Sequence, residues 1–163
     1  MQIWGIDCSS KNIAISCFDG GNLSWVSYKD SKMKNTQDRI FELGKRFEKA
    51  LMGGIPDIIF IEESIYVSNF KTSKAIAEVI GNIKWICAEN EVKFRTVQNR
   101  MWKKEIIGSG GASKEDIKRF VIERYPQLKN ESQDVWDSVG VALYGIKYQA
   151  LLKGSENEAR KNV

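Results

Sequence analysis

Apolar residues open the chain as a short run over Gln2 to Asp7, and from Asn12 to Phe18 they alternate, with Ile13, Ile15 and Cys17 set against smaller neighbours. Such alternation predicts strands, and Asp19-Gly20-Gly21, lying before a third run from Leu23 to Tyr28, is a hairpin signal. An antiparallel meander of three strands is therefore expected at the N-terminus, its first strand closed by an acid, Asp7. The period then changes. Ile40, Leu43, Phe47, Ala50 and Leu51 recur at helical spacing between Thr36 and Leu51, and Gly53-Gly54 ends the pattern. Within Asp57 to Glu62, the unbroken Ile58, Ile59, Phe60 and Ile61 mark a strand covered on both faces, hence a central one.

Helical spacing returns from Lys74 to Asn90 with Ile76, Val79, Ile80, Ile83, Ile86 and Cys87, and Val92 to Val97 reads as a strand beyond it. Asn99 to Ile107 reads as a helix, Gly108 to Gly111 as a flexible loop, and Ser113 to Tyr125 as a helix capped by Ser113 with Asp116 at its third position. Asn130 with Gln133 resembles a capping box for a last helix through Leu152, and the polar stretch from Lys153 to Val163 is expected to fray. The order β-β-β-α-β-α-β-α-α-α places the chain in the α/β class, as a mixed sheet flanked by helices, with residues 1–152 as one domain and 153–163 as a flexible tail.

Composition narrows what such a domain can do. A chain of 163 residues, 42% hydrophobic with two prolines, has material for one core and so one site. No apolar stretch is long enough to cross a bilayer, and MQIWGIDCSS lacks the basic start of a signal peptide, so no membrane association and a cytoplasmic location are expected. Cys8, Cys17 and Cys87 are odd in number and widely spaced, which fits buried reduced thiols better than a disulfide framework or a zinc site. Histidine is absent, which excludes His-based triads and His-ligated metals and leaves carboxylates, lysines and water. A carboxylate-only set favours hard ions, Mg²⁺ or Mn²⁺. The net charge of +4 is compatible with a polyanionic partner and does not require one.

Four acids stand out. Asp7 ends the first strand before the small residues Cys8, Ser9 and Ser10, although acids also end strands simply as turn residues. Glu62-Glu63 ends the buried strand, where one carboxylate must turn toward the core, but a run apolar on both faces does not say which. Asp134 and Asp137, three apart on one helix face, border the apolar Val135, Val139, Ala142 and Leu143, while their place near the helix start gives them an electrostatic reason to be there regardless. Together they would form a cage for two divalent ions, suited to phosphodiester hydrolysis.

These pieces resemble the RuvC family of Holliday-junction resolvases, within the RNase H-like superfamily. The resemblance runs in order through IWGIDCSSKNIAI, IIFIEESIY, MWKKEIIGSGGASKEDI and QDVWDSVGVALYG, and its most specific part is Lys103, Gly108, Gly110 and Lys114 at family spacing. It implies that Asp7, Glu62, Asp134 and Asp137 bind metal and catalyse, with Glu62 preferred to Glu63, and that Lys103 and Lys114 contact the scissile phosphate region. It also implies hydrolysis with two Mg²⁺ or Mn²⁺ ions that leaves 5′-phosphate and 3′-hydroxyl ends. A residue after the glutamate would wedge the junction open, with Ile65, Tyr66 and Phe70 as candidates. Many bacterial relatives carry a histidine near the final acids. Its absence here points to the phage branch, in a host cytoplasm, and argues against coupling to a branch-migration motor.

Lys71, Lys74, Lys84, Lys103, Lys104, Lys114, Lys118 and Arg119 surround the site in sequence, with Tyr66, Phe70 and Trp102 as stacking surfaces for DNA. A four-way junction is nearly two-fold symmetric and suits a homodimer, for which Ile76, Ile80, Ile83 and Trp85 offer an apolar contact. Two rivals have tests of their own. A nuclease acting on RNA or RNA–DNA hybrids would prefer a hybrid duplex in competition with a junction, and a non-catalytic branched-DNA-binding protein would show no metal-dependent nicking.

Overall fold

The computed structural model describes residues 1–29, 33–63 and 69–161. The meander forms as β1 (Gln2–Cys8), β2 (Asn12–Asp19) and β3 (Asn22–Lys29). Asp19 pairs with Asn22 across a two-residue turn, Gly20 and Gly21, whose φ of 56° and 95° are left-handed and open to glycine. Then come α1 (Thr36–Met52), β4 (Ile58–Glu62), α2 (Phe70–Glu89), β5 (Phe94–Val97), α3 (Asn99–Ile107), α4 (Lys114–Arg124) and α5 (Gln133–Lys161). The element order is the one read from the sequence. The five strands lie in the order β3-β2-β1-β4-β5, antiparallel within the meander and parallel where β4 meets β1 and β5.

Side chains alternate across this sheet into two apolar layers. Trp4, Ile6, Ile13, Ile15, Ile59 and Ile61 pack against α1 and α2. Ile3, Ala14, Phe18, Ile58 and Phe60 pack against α3, α4 and α5. In this alternation Asp7 follows Ile3 and Gly5, and Glu62 follows Ile58 and Phe60, so both acids emerge on the α5 side at the C-terminal ends of adjacent parallel strands.

Three boundaries differ from expectation. α2 begins at Phe70 rather than Lys74, because the Asn69 side chain accepts the N–H groups of Lys71 and Thr72. The capping box of Asn130 does not form. A 3₁₀ turn (Pro126–Leu128) intervenes, α5 starts at Gln133, and the Gln133 amide bonds Asp137 instead. α5 also continues past Leu152 to Lys161, since the stretch beyond has no proline to stop propagation and is rich in Glu, Ala, Lys and Arg.

Two contacts place the elements that carry the site. Gly5 lies directly under α5: a Cβ there would come within 2.3 Å of the Ser138 carbonyl oxygen and the Ala142 nitrogen. Ser16 on β2 and Ser138 on α5 share a buried hydroxyl contact of 2.6 Å on the same seam. The buried Arg39 of α1 donates to the Ser10 carbonyl at 2.7 Å and to the Met33 carbonyl at 2.9 Å, which ties α1 to the turn after Asp7.

Candidate active site

β1 and β4 run parallel with Ile6 opposite Ile61, so the next residues along, Asp7 and Glu62, are neighbours by register. The first two turns of α5 bring Asp134 and Asp137 over them. All four side chains are half-buried. The Asp7 carboxyl is pushed well above its usual range, by burial first and then by the charges of Glu62, Asp137 and Asp134, while the Cys8 backbone N–H pulls the other way. Burial likewise raises Asp137, to about 7, with Glu62 and Asp134 adding to the rise and Gln133 and Lys103 opposing it. Glu62 is raised by burial and held back by its hydrogen bonds and Lys103. The acids therefore share one region of negative potential, and Lys103 is a cation that reaches it.

Neutral donors hold most of these carboxylates. Asn99 Nδ2 donates to Glu62 Oε1 at 2.8 Å and Trp102 Nε1 to Glu62 Oε2 at 2.7 Å. Asn12 Nδ2 donates to Asp134 Oδ2 at 2.5 Å, and its own Oδ1 accepts from Ser27 Oγ at 3.0 Å. Gln133 Nε2 donates to Asp137 Oδ1 at 2.9 Å. Of the two acids that end β4, Glu62 lies on the side of Asp7, whereas Glu63 is exposed on the other side of the strand, where Thr96 Oγ1 donates to it at 3.3 Å. Among the described residues, no three acids or cysteines stand close enough as they are to hold a metal ion. The donor set nonetheless fits a hard divalent cation in charge and chemistry, because among the described residues Lys103 is the cation that acts on the crowded acids and the amide donors are replaceable.

The structure sorts the other expected residues. Lys103, at 5.8 Å from the Trp102 ring, acts electrostatically on Glu62 and Asp137 and so belongs to the cluster. Gly108, with φ of 99°, ends α3 in a left-handed cap that bonds the Lys103 and Lys104 carbonyls, which explains the glycine at that spacing. Lys114 is exposed at the first position of α4, beyond the loop that follows α3. Lys71, Lys74 and Lys104 are exposed, Lys74 with Glu78 3.8 Å away. Lys84 is half-buried on α2, Lys118 sits 5.2 Å from the Trp136 ring, and Arg119 is tied to Asp116 at 2.7 Å. Phe70 is exposed at the start of α2, as a stacking residue requires. Tyr66 and Ile65 lie outside the described residues.

Trp102 is a correction. Expected to stack on DNA, it is 0% exposed, and its ring fills the notch left by Gly140 of α5. Its role here is to hold Glu62. The apolar width of α2 is likewise absorbed: Ile80 and Ile83 are buried and Ile76 is partly buried against the same core, which leaves Trp85 exposed beside Phe41 of α1. The polar supports Asn12, Asn99 and Gln133 were not legible in the sequence, since their partners lie on other elements or one turn away. Gly5 did carry a signal, because a glycine inside a strand often marks close approach of another backbone.

Cys8, Cys17 and Cys87 are free, and burial raises all three thiols, Cys87 to about 12. Only Cys87 is fully buried, whereas Cys8 and Cys17 are half-buried. None of the helices among the described residues is long and apolar enough to cross a membrane.

Comparison with known proteins follows the same outline. Residues 3–144 match the model of the family described as crossover junction endodeoxyribonuclease RuvC. A protein of that description from Aliarcobacter butzleri is 26% identical over 88% of this chain and 96% of its own. Among solved structures, Thermus thermophilus RuvC in complex with Holliday junction substrate superposes with a TM-score of 0.78 at 15% identity, over 93% of this chain and 96% of that one. The yeast mitochondrial Holliday junction resolvase Ydc2 gives 0.69 at 14% identity, over 99% and 84%. The family match spans most of the chain, and the chain belongs to the RuvC family of crossover junction endodeoxyribonucleases.

Proposed function

We propose that this protein is a structure-selective endonuclease that resolves four-way junctions, or closely related branched DNA, by hydrolysing phosphodiester bonds. The observation that carries the proposal is the meeting of Asp7, Glu62, Asp134 and Asp137 with Lys103 at one end of the sheet, in a chain without histidine. Asp7, Glu62, Asp134 and Asp137 would hold two Mg²⁺ ions, with Mn²⁺ able to substitute. Bound there, the ions supply activation of water and neutralisation of charge on the leaving oxygen. The chain's own work is preorganisation. Trp102 and Asn99 fix the Glu62 carboxylate in one plane, Asn12 fixes Asp134, and Gln133 fixes Asp137.

Lys103 acts on the acids electrostatically, which supports a role in which it would meet a phosphate oxygen. Lys114, on the far side of the Gly108–Gly111 loop, would reach the same strand, and Lys71, Lys74, Lys104 and Lys118 would neutralise phosphates farther out. A homodimer presents two such sites to opposed strands of a two-fold substrate, and the exposed Phe41 and Trp85 support its contact through α1 and α2. The histidine-free acid set supports a phage-type enzyme working in a host cytoplasm without a motor partner. Cleavage of a four-way junction by the wild type and by Asp7→Asn tests the mechanism: the wild type cuts only with a divalent ion, and cutting retained in the variant overturns the assignment.

A further inference from the structure

An endonuclease cuts inside a strand, so the backbone it holds continues on both sides of the cut. The lysines discussed so far lie toward β5, α3 and α4, or on α2. In the sheet order β3-β2-β1-β4-β5 the opposite flank of the acids is formed by β2 and β3. There a cleft of about 580 Å³ is lined by Ser27, Lys29, Arg46, Asn130, Glu131 and Ser132. β3 lies two strands from β1, on the order of 10 Å at usual strand spacing, which is a nucleotide or two along a backbone.

The cleft is joined to the acid cluster by hydrogen bonds. Ser27 Oγ in its wall donates to Asn12, and Asn12 donates to Asp134. Asn12 and Lys29 are register partners on β2 and β3, so the Lys29 side chain leaves the sheet on the same face as the Asp134 support. Lys29 is exposed. Arg46 adds a second cation to the lining even though it pairs with Glu42 at 3.3 Å, and Glu131 is the one acid among the lining residues. The Asn130 amide adds a neutral donor. Two cations with amide and hydroxyl groups in an open polar trough suit a chain of phosphodiesters better than an apolar ligand or a base.

We infer that this cleft binds the phosphodiester backbone of the cleaved strand on the side of the cut away from Lys103. The inference rests on the junction-nuclease reading above. It is tested on the full chain with a four-way junction in which each phosphate near the cut is replaced in turn by an uncharged methylphosphonate. Binding is measured without divalent ions and cleavage with Mg²⁺. In the wild type, a neutral linkage on one flank weakens binding through the cleft. Lys29→Ala binds the unmodified junction several-fold more weakly, loses its response to that linkage while keeping its response on the Lys103 flank, and has a salt slope smaller by about 1. Lys29→Arg restores the wild-type pattern. If the wild type cuts the junction and Lys29→Ala matches it in linkage response and salt slope, the cleft assignment is overturned and the nuclease reading stands. If the wild type neither binds nor cuts the junction, both are overturned.

Discussion

Glu62 shows how much of this site depends on single hydrogen bonds. Its two oxygens accept from different side chains, and the Trp102 indole that serves one of them is locked against Gly140. Trp102→Phe removes that donor while keeping most of the volume, so cleavage should fall about 10-fold or more, the cost of a bond to a charged group, with junction affinity unchanged in a filter-binding assay. Asp7→Asn is expected to lower the cleavage rate by at least ~100-fold, as for loss of a central electrostatic group, while the folded state persists. Asp137 makes a pH prediction. Its carboxyl is raised to about 7 in the folded protein, so the fold binds its proton more tightly than the unfolded chain does. The stability this proton contributes is present at low pH and lost as pH rises through about 7. Metal-free Asp137→Asn should therefore melt higher than wild type at pH 8, with the difference shrinking as pH falls toward 4. Equal melting temperatures at pH 8 would show that burial and the neighbouring acids do not raise the Asp137 carboxyl.

At the scale of elements, the seam between β1 and α5 decides whether the acids meet. Asp7 sits on one and Asp134 and Asp137 on the other, and Gly5 is the residue that lets the two approach. Gly5→Ala puts a methyl group into α5 backbone, so α5 must shift. Destabilisation of about 1–3 kcal/mol by urea unfolding is expected from overpacking, together with loss of cleavage beyond what the change in folded fraction explains. The element order was legible because each element's period was clean: alternating Ile13, Ile15 and Cys17, or helical Leu43, Phe47 and Leu51. Where the reading missed, the cause lay in local hydrogen bonding that periodicity does not report, as with Asn69 capping α2 four residues early and Gln133 turning to Asp137.

For the whole molecule, the exposed Phe41 and Trp85 border a groove of about 590 Å³ between α1 and α2. If the second copy docks there, Trp85→Glu should convert a dimer to a monomer in sedimentation velocity. The variant should still nick one strand of a junction but no longer make paired cuts within one binding event. An unchanged sedimentation coefficient would place the dimer contact elsewhere.

The sequence by itself determined the class of fold and narrowed the candidate acids and the chemistry open to them, because periodicity and residue type are local properties and the lack of histidine is a fact of composition. Lys103 and Lys114 were legible only through their spacing, and of the two the structure joins Lys103 to the acids. Tertiary structure decided the rest. That Glu62 rather than Glu63 faces Asp7 follows from which face of β4 lies under α5, and a strand apolar on both faces carries no such information. That Trp102 supports a carboxylate instead of meeting DNA follows from Gly140, a residue on another helix whose missing side chain makes the room. Both depend on contacts between elements far apart in the chain, and these exist only once the sheet has been covered.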